Sequence, residues 1–198
     1  DYLVINVSSP NTPGLRARPR RRPLLEIVAR AQEARDEAGR DGGPPLLLKL
    51  APDLGDEDQR ELAAVALETG IDGLIVGNTT VARRPGLTGR HAGEAGGPSG
   101  RPLFAPSTAV LASLYRLTGG RVPLIGTGGI ADGRDAYAKI RAGASLVQLY
   151  TALIYQGPGL AGRIKHELAA RLRAGGFSTV ADAVGIDADA VGIDADAD

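Results

Sequence analysis

The order of apolar and polar residues predicts an α/β fold: a TIM-type (β/α)8 barrel, present only in part as about five β/α units. Three observations carry this expectation. Five short apolar runs alternate with longer amphipathic stretches, polar residues collect where the apolar runs end, and no Gly-x-Gly-x-x-Gly follows the first run. Short runs that are apolar throughout suit strands buried on both faces, and β-then-α order with short connections makes such strands parallel. An open doubly wound sheet and a barrel both satisfy that order. The missing glycine fingerprint withholds support from the dinucleotide-binding open sheet. Polar strand ends are where barrel enzymes keep their chemistry. A closed barrel needs eight strands in typically ~250 residues, so about three units lie outside these 198 residues.

Each element can be placed in turn. The first strand is expected over residues 3–7; opening on Asp1-Tyr2 with no methionine anywhere, the chain reads as a processed or truncated product. A helix follows over 24–38 and a strand over 46–51. The next helix is expected over 56–69, with Asp56 as N-cap and Gly70 as its stop. A strand over 73–77 leads into a polar stretch, 83–100, longer than structureless loops usually run and expected to form a lid. Helix 105–118, strand 122–126, helix 134–142, strand 145–149 and helix 160–174 complete the series. After that, Ala183-Val184-Gly185-Ile186-Asp187-Ala188-Asp189 is repeated as Ala190-Val191-Gly192-Ile193-Asp194-Ala195-Asp196. Aspartate-dense and poor in bulky residues, 183–198 is expected to be a disordered tail behind a folded unit of residues 1–182. No turn glycine and glutamate complete a calcium loop there.

Composition removes several functions. Lys plus Arg and Asp plus Glu both number 23, leaving no net charge to draw nucleic acid or anionic lipid. Aromatic residues are only 4%, too few for a base-stacking surface. The absence of cysteine excludes disulfides, thiolate metal sites and a cysteine nucleophile, and fits a reducing cytosol. No apolar run approaches the ~20 residues that span a bilayer. No His/Asp/Glu spacing suggests a metal, and His91 and His166 both read as exposed surface.

The densest chemistry lies in Asn6-Val7-Ser8-Ser9-Pro10-Asn11-Thr12-Pro13-Gly14, which passes from an apolar strand into a hydrogen-bonding loop. Asn6 and Asn11 offer amide donors and acceptors suited to a planar polar ring, and the prolines stiffen the loop. An ordinary turn uses the same residue types. Lys49 ends an apolar strand, where a buried ammonium calls for an anion, although a surface lysine at a strand end would read identically. Asn78-Thr79 is either a binding pair or a turn. The glycines of Ser99-Gly100 and Gly128-Gly129, with Tyr150-Thr151, sit where backbone N–H groups could approach a phosphate.

The segment Asn6-Val7-Ser8-Ser9-Pro10-Asn11-Thr12 resembles the signature of quinone-dependent dihydroorotate dehydrogenases. The resemblance continues in order through Leu48-Lys49-Leu50-Ala51-Pro52-Asp53, Leu74-Ile75-Val76-Gly77-Asn78-Thr79-Thr80, Gly96-Gly97-Pro98-Ser99-Gly100, Gly126-Thr127-Gly128-Gly129 and Leu146-Val147-Gln148-Leu149-Tyr150-Thr151-Ala152. It spans residues 1 to 182. It implies the C-terminal part of a class 2 barrel that oxidises (S)-dihydroorotate to orotate for pyrimidine synthesis, with FMN as cofactor and a membrane quinone as electron acceptor. It implies Ser9 as the catalytic base and Asn6, Asn11, Asn78 and Thr79 as substrate ligands. Asn6, Lys49, Gly77, Gly100, Gly129, Tyr150 and Thr151 become the implied FMN contacts, with Lys49 at the flavin ring. Gly77 stands where the family usually carries a hydroxyl residue, so only a backbone contact can persist there. The soluble classes have cysteine in place of Ser9. Dihydropyrimidine-type FMN reductases also commonly use cysteine, which this chain lacks; a non-catalytic partial barrel is the other alternative. For the full-length protein, the resemblance implies a cytoplasmic location with peripheral attachment to the cell membrane.

Overall fold

Parallel pairing joins five strands in chain order: β1 (Leu3–Asn6), β2 (Leu46–Leu50), β3 (Gly73–Val76), β4 (Leu124–Thr127) and β5 (Leu146–Gln148). A doubly wound sheet reverses its strand order at a switch point. Here the order never reverses, so every crossover advances by one strand, as in a barrel. The computed structural model describes residues 1–8, 21–39, 43–82, 93, 94 and 96–191, and the expected lid falls largely outside them.

Helices α1 (Arg21–Ala38), α2 (Asp56–Thr69), α3 (Phe104–Thr118), α4 (Gly133–Arg141), α5 (Thr151–Gln156) and α6 (Leu160–Ala174) follow the strands. Neighbouring helices α1–α2, α2–α3, α3–α4 and α4–α6 pack side by side. The side-chain period of two sorts the strand residues. Leu48, Leu50, Leu74, Val76 and Leu124 join Leu62, Ala66, Leu111 and Leu114 in the main core between sheet and helices. Leu47, Ile75 and Ile125, on the other face of β2, β3 and β4, form a separate cluster lining the inside of the curl. The sheet bends far enough that the Gln148 amide on β5 donates to the Tyr2 hydroxyl just ahead of β1.

Three local expectations needed adjustment. Helix α1 starts at Arg21, since Pro23 is tolerated in a first turn whose N–H groups lack intrahelical acceptors anyway. Gly55, not Asp56, takes the N-cap of α2 with extended backbone; Asp56, Glu57 and Asp58 instead sit in the first turn, favourable to the helix dipole. Strands β2, β3 and β4 are buried as expected, but the edge strands are not: Leu3 is 48%, Val4 41% and Leu146 60% exposed.

The larger correction concerns the tail. Within 183–191, the part of the repeat that is described, the chain packs. Ala183 and Ala188 are 0% and 2% exposed. The Gly185 and Asp187 N–H groups donate to the Ile140 and Arg141 carbonyls at 3.1 and 2.9 Å, satisfying acceptors at the C-terminal end of α4. Asp187 also pairs with Arg141 at 2.5 Å, and the Arg116 guanidinium donates to the Ala188 carbonyl. Small side chains let this backbone come close enough to cap the helix, so low apolar bulk is a means of docking here.

Candidate active site

The C-terminal ends of four successive strands surround one cavity of about 650 Å³, within the range of small-ligand sites. From β2 comes Lys49, from β3 Gly77-Asn78-Thr79, from β4 Thr127-Gly128-Gly129, and from β5 Tyr150-Thr151; Ser99-Gly100 arrives from the segment before α3. Lys49 follows Leu47 on the inward face of β2, so its stem runs up the inside of the curl. Asn6 is its register partner on β1.

At one end of the site, amides and a hydroxyl interlock. The Ser8 hydroxyl and N–H donate to Asn6 Oδ1 at 3.0 and 3.2 Å. Asn78 Nδ2 donates to Ser8 Oγ at 2.9 Å, while Asn78 Oδ1 accepts from the Thr79 N–H at 2.9 Å. These partners fix the orientation of the Asn78 amide and tie β1 to β3 across the mouth of the site. Thr79 is pinned by Gly97, where an added Cβ would stand 2.2 Å from Thr79 Oγ1. Gly77 is required in the same way: its φ is 119°, and an added Cβ would lie 2.9 Å from the Thr127 carbonyl oxygen. The hydroxyl residue usual at this position in the resembled family would clash here.

At the other end are glycines. Gly100, Gly128 and Gly129 have φ of 82°, 96° and 76°, values that disfavour any side chain. Gly129 lies so near α3 that an added Cβ would be 2.6 Å from Phe104 Cα. Thr151 Oγ1 donates to Ser99 Oγ at 3.0 Å, joining the start of α5 to the segment before α3. Backbone stripped of side chains, converging from two loops, is the form a phosphate-bearing group needs. With Lys49 also in the lining, the residues present suit an anionic ligand that carries a phosphate.

The positions named from sequence divide clearly. Lys49, Gly77, Asn78, Thr79, Gly100, Gly129, Tyr150 and Thr151 all line the cavity. Asn6 joins through Ser8. Ser9 and Asn11, together with His91, lie outside the described residues; His166 is exposed. Ser8, 2% exposed and central to the amide network, was missed, as were Thr127, Arg101, Tyr155 and Gln156 in the lining. Tyr155 and Gln156 ride on α5, a short helix the sequence did not announce. Among the described residues, no group of three His, Asp or Glu could hold a metal, and no helix is long and apolar enough to cross a membrane.

The family model described as dihydroorotate dehydrogenase matches residues 1–172. The chain is 63% identical over 187 residues to the dihydroorotate dehydrogenase (quinone) of Rhodospirillum rubrum, covering 94% of this chain and 51% of that protein. It is 50% identical over 187 residues to the mitochondrial dihydroorotate dehydrogenase (quinone) of Mus musculus, covering 94% and 47%. The crystal structure of DHODH from Eimeria tenella in complex with ferulenol superposes with a TM-score of 0.90 at 46% identity, covering 94% of this chain and 54% of that one. The chain thus spans about half the length of the curated relatives it matches.

Proposed function

This chain belongs to the dihydroorotate dehydrogenase family, and from that membership we propose that it is the FMN- and substrate-binding part of an enzyme oxidising (S)-dihydroorotate to orotate with quinone as acceptor. The observation that carries the reading is the convergence of Lys49, the Asn78-Thr79 pair and four positive-φ glycines, Gly77, Gly100, Gly128 and Gly129, on one cavity. Gly100 and Gly129, with Tyr150 and Thr151, hold the FMN phosphate through backbone and hydroxyl groups. Lys49 and Asn6 sit at the flavin ring with the Gly77 backbone. FMN, when bound, supplies the acceptor for the hydride that leaves C6 of the substrate.

Asn6, Asn11, Asn78 and Thr79 orient the dihydroorotate ring by hydrogen bonds to its amide and carboxylate edges. Ser9, between Asn6 and Asn11 in sequence, takes the C5 proton. An unperturbed serine hydroxyl is a weak base and needs a hydrogen-bond acceptor or water to receive its own proton. The quinone acceptor places the whole protein at a membrane surface.

Replacing Ser9 tests this. In the full-length protein, Ser9→Ala is expected to cut dihydroorotate oxidation by the ~10²–10⁴-fold typical of general-base catalysis, with flavin content unchanged. Ser9→Cys, whose thiol titrates near ~8.5, is expected to keep partial activity with a pH optimum shifted downward. Turnover by Ser9→Ala at the parent rate would place the base elsewhere.

A further inference from the structure

Lys139 lies in the last turn of α4, and its side chain is 0% exposed. Its ammonium donates to Ser107 Oγ at 2.6 Å and reaches the Phe104 carbonyl at 3.4 Å, 5.2 Å from the centre of the Phe104 ring. Among the described residues it forms no ion pair. Phe104 and Ser107 of α3 contact it, Gly126 of β4 packs against its stem, where an added Cβ would lie 3.3 Å from Lys139 Cδ, and Asp135 acts on it from one turn back on α4. Asp135 is the one charge among them, and its carboxylate is engaged by the Ala131 N–H at 2.9 Å. Burial pushes the ammonium down to about 7, against the opposing pull of Asp135.

For stability alone this is a poor arrangement. An apolar side chain of the same length would avoid the desolvation cost altogether. The cation also stands at the N-terminus of α3, itself the positive end of a helix dipole, so two sources of positive potential meet at one point. They meet beneath the glycine end of the cavity. With Lys139 on its acceptor side, the Ser107 hydroxyl donates to the Leu103 carbonyl at 2.6 Å, with the Gly128 carbonyl beside it at 3.4 Å. An added Cβ on Gly128 would be 2.8 Å from that hydroxyl. Leu103, Gly128 and Gly129 all line the cavity.

We infer that Lys139 is a positioning residue for the phosphate end of the site: through Ser107 it fixes the Leu103 and Gly128 backbone, and its buried charge selects an anionic ligand. The inference rests on the FMN reading above. It is a role that neither Lys139's place on a helix nor the lining of the cavity announces, because the side chain never reaches the ligand space.

The test compares FMN with riboflavin, which has the same ring and no phosphate, titrated into the full-length apoprotein and followed by flavin fluorescence. Lys139→Met is expected to weaken FMN by about tenfold or more while leaving riboflavin nearly unchanged. A purely structural role would weaken both alike. Should the variant fold poorly, the unaltered protein gives the same answer: raising the pH from about 6.5 to 9 neutralises Lys139 in place, so FMN affinity should fall and riboflavin affinity hold. An unaltered protein that prefers FMN, beside a variant with the same preference and a flat FMN affinity across that pH range, overturns this inference alone. An unaltered protein that binds neither flavin overturns the cofactor reading and this inference with it.

Discussion

A buried lysine separates what a residue costs the fold from what it does for a site. The pKa of Lys139 falls from the ordinary lysine value to about 7 in the folded chain, so between about 7 and 10.5 the unfolded state binds more protons. Stability therefore rises with pH through that window, and the penalty is full below it. Lys139→Met removes the term. Its apoprotein should melt higher than the parent at pH 6, and the gap should narrow by pH 9, as calorimetry at the two values would reveal. A variant that melts lower at both would mean the ammonium's hydrogen bonds outweigh its burial. Sequence could not give this residue away. Asp135 and Lys139 stand four apart on a helix, the spacing of a solvated ion pair, and only the packing of α3 over α4 turns that pair inward. Ser8 was hidden differently: it lies next to Ser9 in a run of polar residues, and nothing local says which hydroxyl turns toward Asn78. Lys49, Asn78 and the glycines were legible because each breaks the apolar rule at a strand end.

At the scale of elements, the tail carries the clearest consequence. Deleting 183–198 removes the Asp187 N–H from the Arg141 carbonyl and the Gly185 N–H from the Ile140 carbonyl, which keeps only that of Gly143, and it strips Ala183 and Ala188 from the core. A loss of roughly 2–3 kcal/mol is expected, about 5–10 °C in melting temperature for a chain of this size. Gly185→Val should do much of the same damage without shortening the chain, because Gly185 has a φ of 77° and an added Cβ would lie 2.2 Å from the Tyr115 ring. Melting unchanged by both alterations would mean that the docking adds nothing. The alternation of strands and helices was readable because parallel strands buried on both faces leave an apolar run that few other structures produce. The tail was not, since its partners are helix-end carbonyls, which carry no signature in sequence. Helix α5 escaped for a related reason. Its apolar residues Ile154 and Tyr155 are 68% and 85% exposed, so no amphipathic pattern marks it.

For the whole molecule, the question is where a partial barrel is open. The curl already buries the inner residues Leu47, Ile75 and Ile125, at 6%, 1% and 5% exposed, so the interior of the central strands is not the liability. Exposure concentrates on the two edge strands, at Leu3, Val4 and Leu146, and on α5. Unpaired edges with apolar side chains recruit other strands, and two such edges on one chain permit open-ended association. The 198-residue chain by itself is therefore expected to sediment as a concentration-dependent mixture of oligomers and to lose FMN on gel filtration. Supplying the missing half as a separate polypeptide, taken from the Rhodospirillum rubrum relative that is 63% identical over the shared part, should cap both edges. A discrete complex that retains flavin is the expected product. Because β1 and β5 are the only edges among the described residues, the capping half must pair with both at once, and a shorter piece that reaches one edge should leave association in place. A monodisperse chain that holds FMN without any partner would show that these five strands close their own edges, and the barrel argument for the missing half would fall.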